Sequence, residues 1–299
     1  MKAVIPVAGK GKRLLPHTGA RQKALLPVAG RPVLDHVLEP LLEAGIDEIV
    51  LIVGHLGKQI EEHMEGYADL NCSIIYQYRQ QGLGHAVLQG LVKSDEPVVI
   101  VLADTIFDVD YNDIMSSSGN LLAVVEVDNP KEFGIVETAG RRVVDMVEKP
   151  AEPQSNLAIA GIYRMEHEGR LKKALEMLVN RGETSHGEYQ LTDALKWMLD
   201  NGTTFRVEII KGWYDCGTPE NMLETNRFLL QKSGGNFIHP RATTENSTIR
   251  HSSIMEDCVV QGSVVDNCIV LPGAVLQKCS VRGEIVRAGA KLSGYVSHR

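Results

Sequence analysis

The residues best suited to chemistry begin in a loop. Val7-Ala8-Gly9-Lys10-Gly11-Lys12-Arg13 follows a short apolar run, and Gln22-Lys23 comes soon after it. Gly9 and Gly11 leave room for backbone N–H groups to approach an anion, and Lys12, Arg13 and Lys23 gather three cations near one turn, a composition that suits a triphosphate. Taken alone, the segment also reads as a tight turn with solvated basic side chains. Two phosphate-binding patterns are excluded, because the sixth position of a Gly-x-Gly-x-x-Gly run is Leu14 and no Gly-Lys-Ser/Thr closes the loop. Two carboxylates stand further along. Asp104 ends the apolar run Val98 to Ala103, where an ionised group loses hydration unless it reaches solvent or a partner. Asp215, in Trp213-Tyr214-Asp215-Cys216-Gly217-Thr218, precedes a glycine turn that leads into a helical segment. Individually they read as a strand-end cap and a turn former.

The elements that must position these groups alternate. Apolar runs at Ala3–Val7, Glu48–Val53, Ser73–Tyr78 and Val98–Ala103 have strand length, and the segments Val33–Leu42, Gly57–Met64 and His85–Val92 between them have helical period. Strands apolar on both faces belong to parallel sheets covered by helices. The succession predicts an α/β fold with a Rossmann-like, mixed but mainly parallel sheet, and in such sheets ligands gather beyond the carboxyl ends of the strands, near Gly9–Arg13 and Asp104. Strands at Asn120–Val127, Gly134–Glu137, Arg142–Val147 and Leu157–Tyr163 and helices at Leu171–Asn180, Leu191–Asn201 and Pro219–Gln231 extend it.

Composition narrows the class. The 299 residues set a prior of about two domains, and 43% apolar with 23% charged residues is a globular balance. The net charge of -7 and the lack of a basic tract argue against a nucleic-acid polymer as partner. No membrane span or signal-peptide pattern is visible, so a cytoplasmic protein is expected. The five cysteines form no Cys-x-x-Cys pair, and reduced, mostly buried thiols are predicted.

The chain changes character after Lys232-Ser233-Gly234-Gly235, which predicts one domain over 1–232 and a second over 236–299. Aliphatic residues recur at Ile249, Ile254, Val259, Val264, Ile269, Val275 and Val281, with glycines between them. One inward aliphatic per short edge predicts a left-handed parallel β-helix of three or four coils, at about 18 residues per coil. An exposed β-helix end is an unpaired edge, so an assembly role is expected for this tail, and its removal is expected to change the oligomer more than turnover per site.

The opening segment, with Pro27-Val28-Ala29-Gly30-Arg31-Pro32 behind it, resembles the signature of the sugar-1-phosphate nucleotidylyltransferases. Further segments continue the resemblance in family order: Gln80-Gln81-Gly82-Leu83-Gly84-His85-Ala86, Leu102-Ala103-Asp104, Glu132-Phe133-Gly134, Glu148-Lys149-Pro150, Ala160-Gly161-Ile162-Tyr163, Gly187 to Asp193 and Trp213 to Pro219. The tail is similar to the β-helix of the long members. Among the branches, those acting on glucose 1-phosphate with dTTP or UTP are the most similar.

The resemblance implies an attack by the sugar 1-phosphate on the α-phosphorus of a nucleoside triphosphate, with pyrophosphate leaving. It implies Mg²⁺ held by Asp104 and Asp215, Arg13 on the triphosphate, Lys23 across the reacting phosphates and Lys149 on the sugar phosphate. Ala8, Gly9, Gly11 and Lys12 would line the nucleotide, and Gly82 would let the base approach, with Gln80 or its rival Gln77 reading the base edge. Gly134, Glu148 and Gly161 would meet sugar hydroxyls. Thr192 and Asp193 are as well explained by a helix start, and His85 by a helix residue tied to its loop. A homo-oligomer is the implied assembly. One departure is Lys12, where the family has Thr or Ser, and it keeps a second reading open: a regulatory, nucleotide-sugar-binding paralogue. A nicotinamide-dependent dehydrogenase is disfavoured by the missing glycine fingerprint.

Overall fold

The computed structural model describes residues 1–297. Packing groups the chain into two compact units. One consists of Met1–Gly9, Val37–Ala103 and Phe107–Trp213, the other of Lys10–His36, Asp104–Ile106 and the chain from Tyr214 onward.

The first unit is built on a sheet of nine strands among the described residues: β1 (Lys2–Val7), β2 (Glu48–Val53), β3 (Cys72–Tyr76), β4 (Val98–Val101), β5 (Asn120–Glu126), β6 (Gly134–Ala139), β7 (Arg142–Glu148), β8 (Leu157–Met165) and β9 (Phe205–Ile209). Their order is β3-β2-β1-β4-β8-β5-β9-β7-β6. The first four strands pair in parallel, β8 runs antiparallel to β4 and β5, and β9 joins β5 in parallel and β7 antiparallel. Pairing of β1 with β4 stops at Val4–Ile100, while pairing with β2 continues to Val7–Val53. Pro6, which has no N–H to donate, therefore sits where β1 has a ladder neighbour on one side only.

The helices are α1 (Val33–Glu43), α2 (Gly57–Met64), α3 (Leu83–Gly90), α4 (Tyr111–Ser116), α5 (Glu168–Arg181), α6 (Leu191–Asp200) and α7 (Pro219–Lys232). Val4, Ile52, Ile100 and Leu122 of the sheet share an apolar core with Val87, Leu175 and Leu195 of α3, α5 and α6. The α3 backbone comes close to the sheet at Gly90, where a Cβ would lie 2.8 Å from Val4 Cγ1. α4 and β9 are additions to the elements read from the chain. α4 is short and takes its start from Asp110, whose side chain accepts the Asn112 N–H at 2.8 Å, and β9 alternates with Phe205 and Val207 buried.

Beyond Gly235, within the second unit, short strands form three parallel sheets. Two run through four passes each, and the third through three passes with an added Ser280–Val296 bridge. The coil is 16 residues long, not about 18: Cys268 N–H donates to Ser252 Oγ and Cys279 N–H to Ser263 Oγ, each 16 residues back. Corners fall at positive-φ residues in steps of five, five and six, as at Asp257, Gly262, Asn267 and Gly273. Asn and Asp tolerate this left-handed conformation, which is why glycine alone did not mark every corner. The inward register holds at Ile254 and Val281, both fully buried in the internal core, and differs elsewhere: Val260, Val265, Val270 and Leu276 are fully buried in that core, whereas Val264 is 37% exposed and Ile269 belongs to a different buried cluster. Val259-Val260 and Val264-Val265 are doublets, and hydrophobicity cannot tell which member of a doublet faces inward.

Candidate active site

In the second unit, Gly11 adopts φ 60° and starts a single 3₁₀ turn over Lys12–Leu14. A Cβ there would meet Thr18 Cγ2 at 2.9 Å and Lys23 Cβ at 3.1 Å, so both conformation and space require glycine. Thr18 Oγ1 donates to the Gly11 carbonyl at 2.8 Å. The turn buries Leu14 completely and leaves Lys12 and Arg13 exposed. A second 3₁₀ turn, Lys23–Leu25, is capped by Gln22, whose side chain accepts the Ala24 N–H at 2.5 Å.

Lys23 Nζ donates to Asp104 Oδ2 at 2.8 Å. Burial works to raise the Asp104 pKa, but the Lys23 ammonium, through charge and hydrogen bond, and the Arg13 guanidinium hold it below the usual carboxylate value. The Cys216 N–H donates to the Asp104 carbonyl at 2.8 Å and so brings the residue after Asp215 against the backbone of Asp104. Asp215 Oδ1 accepts the Gly217 N–H at 2.9 Å, Oδ2 accepts Asn221 Nδ2 at 2.5 Å, and its carbonyl accepts Thr225 Oγ1 at 3.0 Å. A Cβ on Gly217 would lie 2.7 Å from Arg13 Nη2 and 2.8 Å from Asp215 Oδ1, so this glycine lets guanidinium and carboxylate approach one backbone position. The structure thus brings Arg13, Lys23, Asp104 and Asp215 together. The Cys216 thiol is buried, and burial, then the Asp215 charge, push its pKa up to about 12, which keeps it protonated and unreactive.

Asn221 and Thr225 were not read from the chain. Both lie on α7, four residues apart, and α7 begins at Pro219 with Thr218 as its cap, the Thr218 hydroxyl accepting the Asn221 N–H at 3.2 Å. Thr225 is buried and Asn221 half-buried, and no pattern in the chain sets either apart from a solvated helix residue.

The remaining candidates lie in the first unit. Gly82 has φ 104° and ψ 172°, a region open essentially to glycine alone, and a Cβ there would strike the Tyr189 carbonyl oxygen at 2.6 Å. Backbone bonds from Tyr189 N to Gln81 O and from Gly84 N to Tyr189 O, both 2.8 Å, fasten this loop to the 188–190 segment. The packing need for Gly82 is therefore met by Tyr189. Gln80 is exposed, and its Nε2 donates to the Ala8 carbonyl at 2.7 Å. Gln77 is buried, with Nε2 3.3 Å from the Gly82 carbonyl oxygen and 3.0 Å from His85 Nδ1. His85 is thus a helix residue bonded to its loop, and burial lowers its pKa. Gly9 has open space around its Cβ position.

Glu148 and Gly134 are register partners on β7 and β6. Glu148 Oε2 accepts Thr192 Oγ1 at 2.7 Å, and Lys149 Nζ lies 3.6 Å from Glu148 Oε1. Lys149 itself has φ 43°, with its N–H bonded to the Phe133 carbonyl at 2.9 Å. Gly161, at φ 119°, lies where the register of β8 with β5 shifts, and its carbonyl accepts the Leu102 N–H at 3.0 Å. Thr192, near the start of α6, thus touches the carboxylate candidate directly, while Asp193 is a first-turn acid of that helix.

The mixed α/β sheet of the first unit is that of a nucleotidyl transferase fold. The chain belongs to the nucleotidyl transferase family, whose model matches residues 2–232. It is 34% identical over 237 residues to the bifunctional protein GlmU of Methanococcus maripaludis, covering 78% of this chain and 55% of that relative. It is 29% identical to a glucose-1-phosphate thymidylyltransferase of Streptomyces griseus, over 98% of this chain and 89% of that one. The crystal structure of a "putative glucose-1-phosphate thymidylyltransferase" from Bacillus anthracis superposes with a TM-score of 0.66 at 27% identity, over 76% of this chain and 94% of that one. The chain spans a little over half the length of the GlmU relatives it matches. No helix among the described residues is long and apolar enough to cross a membrane.

Proposed function

We propose that this chain transfers a nucleoside monophosphate from dTTP or UTP to glucose 1-phosphate, releasing pyrophosphate and forming an NDP-glucose. The observation that carries the reading is the Lys23–Asp104 ion pair beside the Asp215 carboxylate and the Arg13 guanidinium. Relatives named for glucose-1-phosphate thymidylyl transfer, and a UDP-glucose pyrophosphorylase structure matched at TM-score 0.66 and 26% identity, favour these substrates. The GlmU relatives and the Haloferax volcanii low-salt glycan biosynthesis nucleotidyltransferase Agl11 are reasons to test other sugars as well.

A sugar phosphate is already ionised at neutral pH, so the attacking oxygen needs no general base, and the chain's task is positioning and charge neutralisation. Arg13, with its forked donors, suits the departing pyrophosphate, and Lys23 offers a point charge to the phosphates. Among the described residues no cluster of three or more His, Cys, Asp or Glu could hold a metal. Two carboxylates nevertheless fit Mg²⁺, which characteristically takes one or two such ligands and completes its shell with phosphate and water. Held by Asp104 and Asp215, that ion would supply Lewis-acid polarisation of phosphoryl oxygens. Lys149 is assigned to the sugar phosphate, and Glu148, Gly134 and Gly161 to sugar hydroxyls. Ala8, Gly9, Gly11 and Lys12 are assigned to the nucleotide, and Gln80 or Gln77 with Gly82 to the base.

The test is pyrophosphate release with Mg²⁺ across dTTP, UTP, GTP and CTP against several sugar 1-phosphates. Highest turnover with dTTP or UTP and glucose 1-phosphate is expected. Nucleotide binding with no product from any pair would instead support the regulatory paralogue to which Lys12 points.

Gly134→Ala probes the sugar side. Its methyl would lie 2.7 Å from Thr192 Oγ1 and 2.9 Å from Glu148 Oε2, displacing the hydrogen bond between them. Disturbing one such bond to a charged group corresponds to about a tenfold rise in KM for the sugar phosphate. The KM for the triphosphate should stay within about twofold, as read by steady-state kinetics with each substrate varied in turn.

A further inference from the structure

We propose that the β-helix face carrying Ile269, Leu271 and Ile285 is a positioning element for Arg13, Lys23, Asp104 and Asp215, so that the tail takes part in turnover and not in assembly alone. The proposal rests on the functional reading above for what the four groups do, but the packing behind it is independent of that reading.

Each of the four has an apolar neighbour in a single buried cluster. Leu14 follows Arg13, Leu26 and Val28 follow Lys23, Ile106 follows Asp104 by two residues, and Cys216 follows Asp215; all five pack with Met222 and Leu223 of α7 and with Ile269, Leu271 and Ile285 of the coils. Leu14, Leu26, Val28 and Ile269 are fully buried. Arg13 is exposed, so its placement derives from the anchoring of Leu14 beside it and not from burial of its own side chain.

Polar contacts pin the same junction. Asn226 of α7 is fully buried, and its Oδ1 accepts both the Ala29 N–H at 2.8 Å and Ser253 Oγ of the first coils at 2.6 Å. The Phe237 ring lies 2.5 Å from the Cβ position of Gly30, a space that only glycine leaves open. His17, at the end of the loop, keeps Nδ1 buried without a hydrogen-bond partner among the described residues. Its pKa is lowered by burial and then by the charge of Arg287 in the last coil. A well-packed cluster transmits a lost methylene to its neighbours, and a misplacement of about 1 Å in a catalytic group can cost roughly 10²-fold in rate.

Ile285→Ala tests the proposal, with Val265→Ala as control. Val265 is buried more deeply, 0% exposed against 9% for Ile285, but belongs to the internal core of the β-helix and not to the shared cluster. In Ile285→Ala the amides of residues 10–28 should exchange hydrogen about tenfold faster, kcat should fall about tenfold and KM for the triphosphate should rise, while KM for the sugar phosphate holds within about twofold. Val265→Ala should leave exchange in 10–28 and both kinetic constants within about twofold of the parent, and Ile285→Val should restore them. Ser253→Ala, which removes one donor to Asn226, gives the same readout at smaller amplitude should Ile285→Ala not fold. Equal exchange in the Ile285 and Val265 variants, or unchanged exchange in Ser253→Ala where that variant is the one measured, would overturn the proposal. A parent protein that turns over no substrate pair would overturn the functional reading and leave the exchange result to decide this one.

Discussion

Asp104→Asn is expected to lower kcat by about 10³-fold with little change in melting temperature. The amide keeps the shape of the carboxylate and one acceptor for Lys23, so the strand end and the Cys216 N–H bond to the Asp104 carbonyl have no reason to move. Under the proposed function, what is lost is a negative charge and a hard oxygen ligand where the transferring phosphoryl group needs electrostatic stabilisation, and removing one such group from a preorganised site costs about 10²–10³-fold. Pyrophosphate release at saturating Mg²⁺, with circular dichroism to verify folding, checks the prediction. Activity within tenfold of the parent would remove Asp104 from the proposed metal pair.

Lys23→Ala is expected to lower kcat/KM by about 10²–10³-fold. The Lys23 side chain is only 13% exposed, so its ammonium is held with limited hydration, and the ion pair with Asp104 is more than a solvated surface contact. Under the proposed function, removing it takes a cation from the phosphates, and it leaves Asp104 with burial raising its pKa against only the Arg13 charge and a backbone hydrogen bond. Single-turnover kinetics at fixed nucleotide should show the loss in the chemical step as well as in binding. Lys23→Arg should recover part of it, since charge is restored but a planar guanidinium does not reproduce the compact ammonium. A loss confined to KM would show that Lys23 binds ground state and transition state equally.

Much of the fold was legible because its signals are local. The strand Glu48–Val53 and the helix Gly57–Met64 match their sequence bounds, since an unbroken apolar run and a helical period each announce themselves within a few residues. Asp104 and Asp215 stood out for a similar reason: a carboxylate after an apolar strand, or ahead of a glycine turn, is conspicuous in its own neighbourhood. The coil length and inward register of the tail were less legible. Doublets such as Val264-Val265 hide the register, and corners held by Asn267 or Lys278 as well as by glycine hide the period. Asn221 and Thr225 were missed because a polar residue on a helix looks solvated until its partner, here Asp215, is known.

The amino-acid sequence by itself determined the residue types at the strand ends, the cationic turn built on Gly9 and Gly11, the family and the change of architecture near residue 235. Only the tertiary structure decided that Lys23 pairs with Asp104, that Tyr189 occupies the space required by Gly82, and that Leu14 shares a core with Ile269 and Ile285. The physical reason is range. Periodicity and turn chemistry act between neighbours in the chain, whereas a contact such as Ala29 to Asn226, 197 residues apart, leaves no pattern in either segment and is selected only when the whole unit packs.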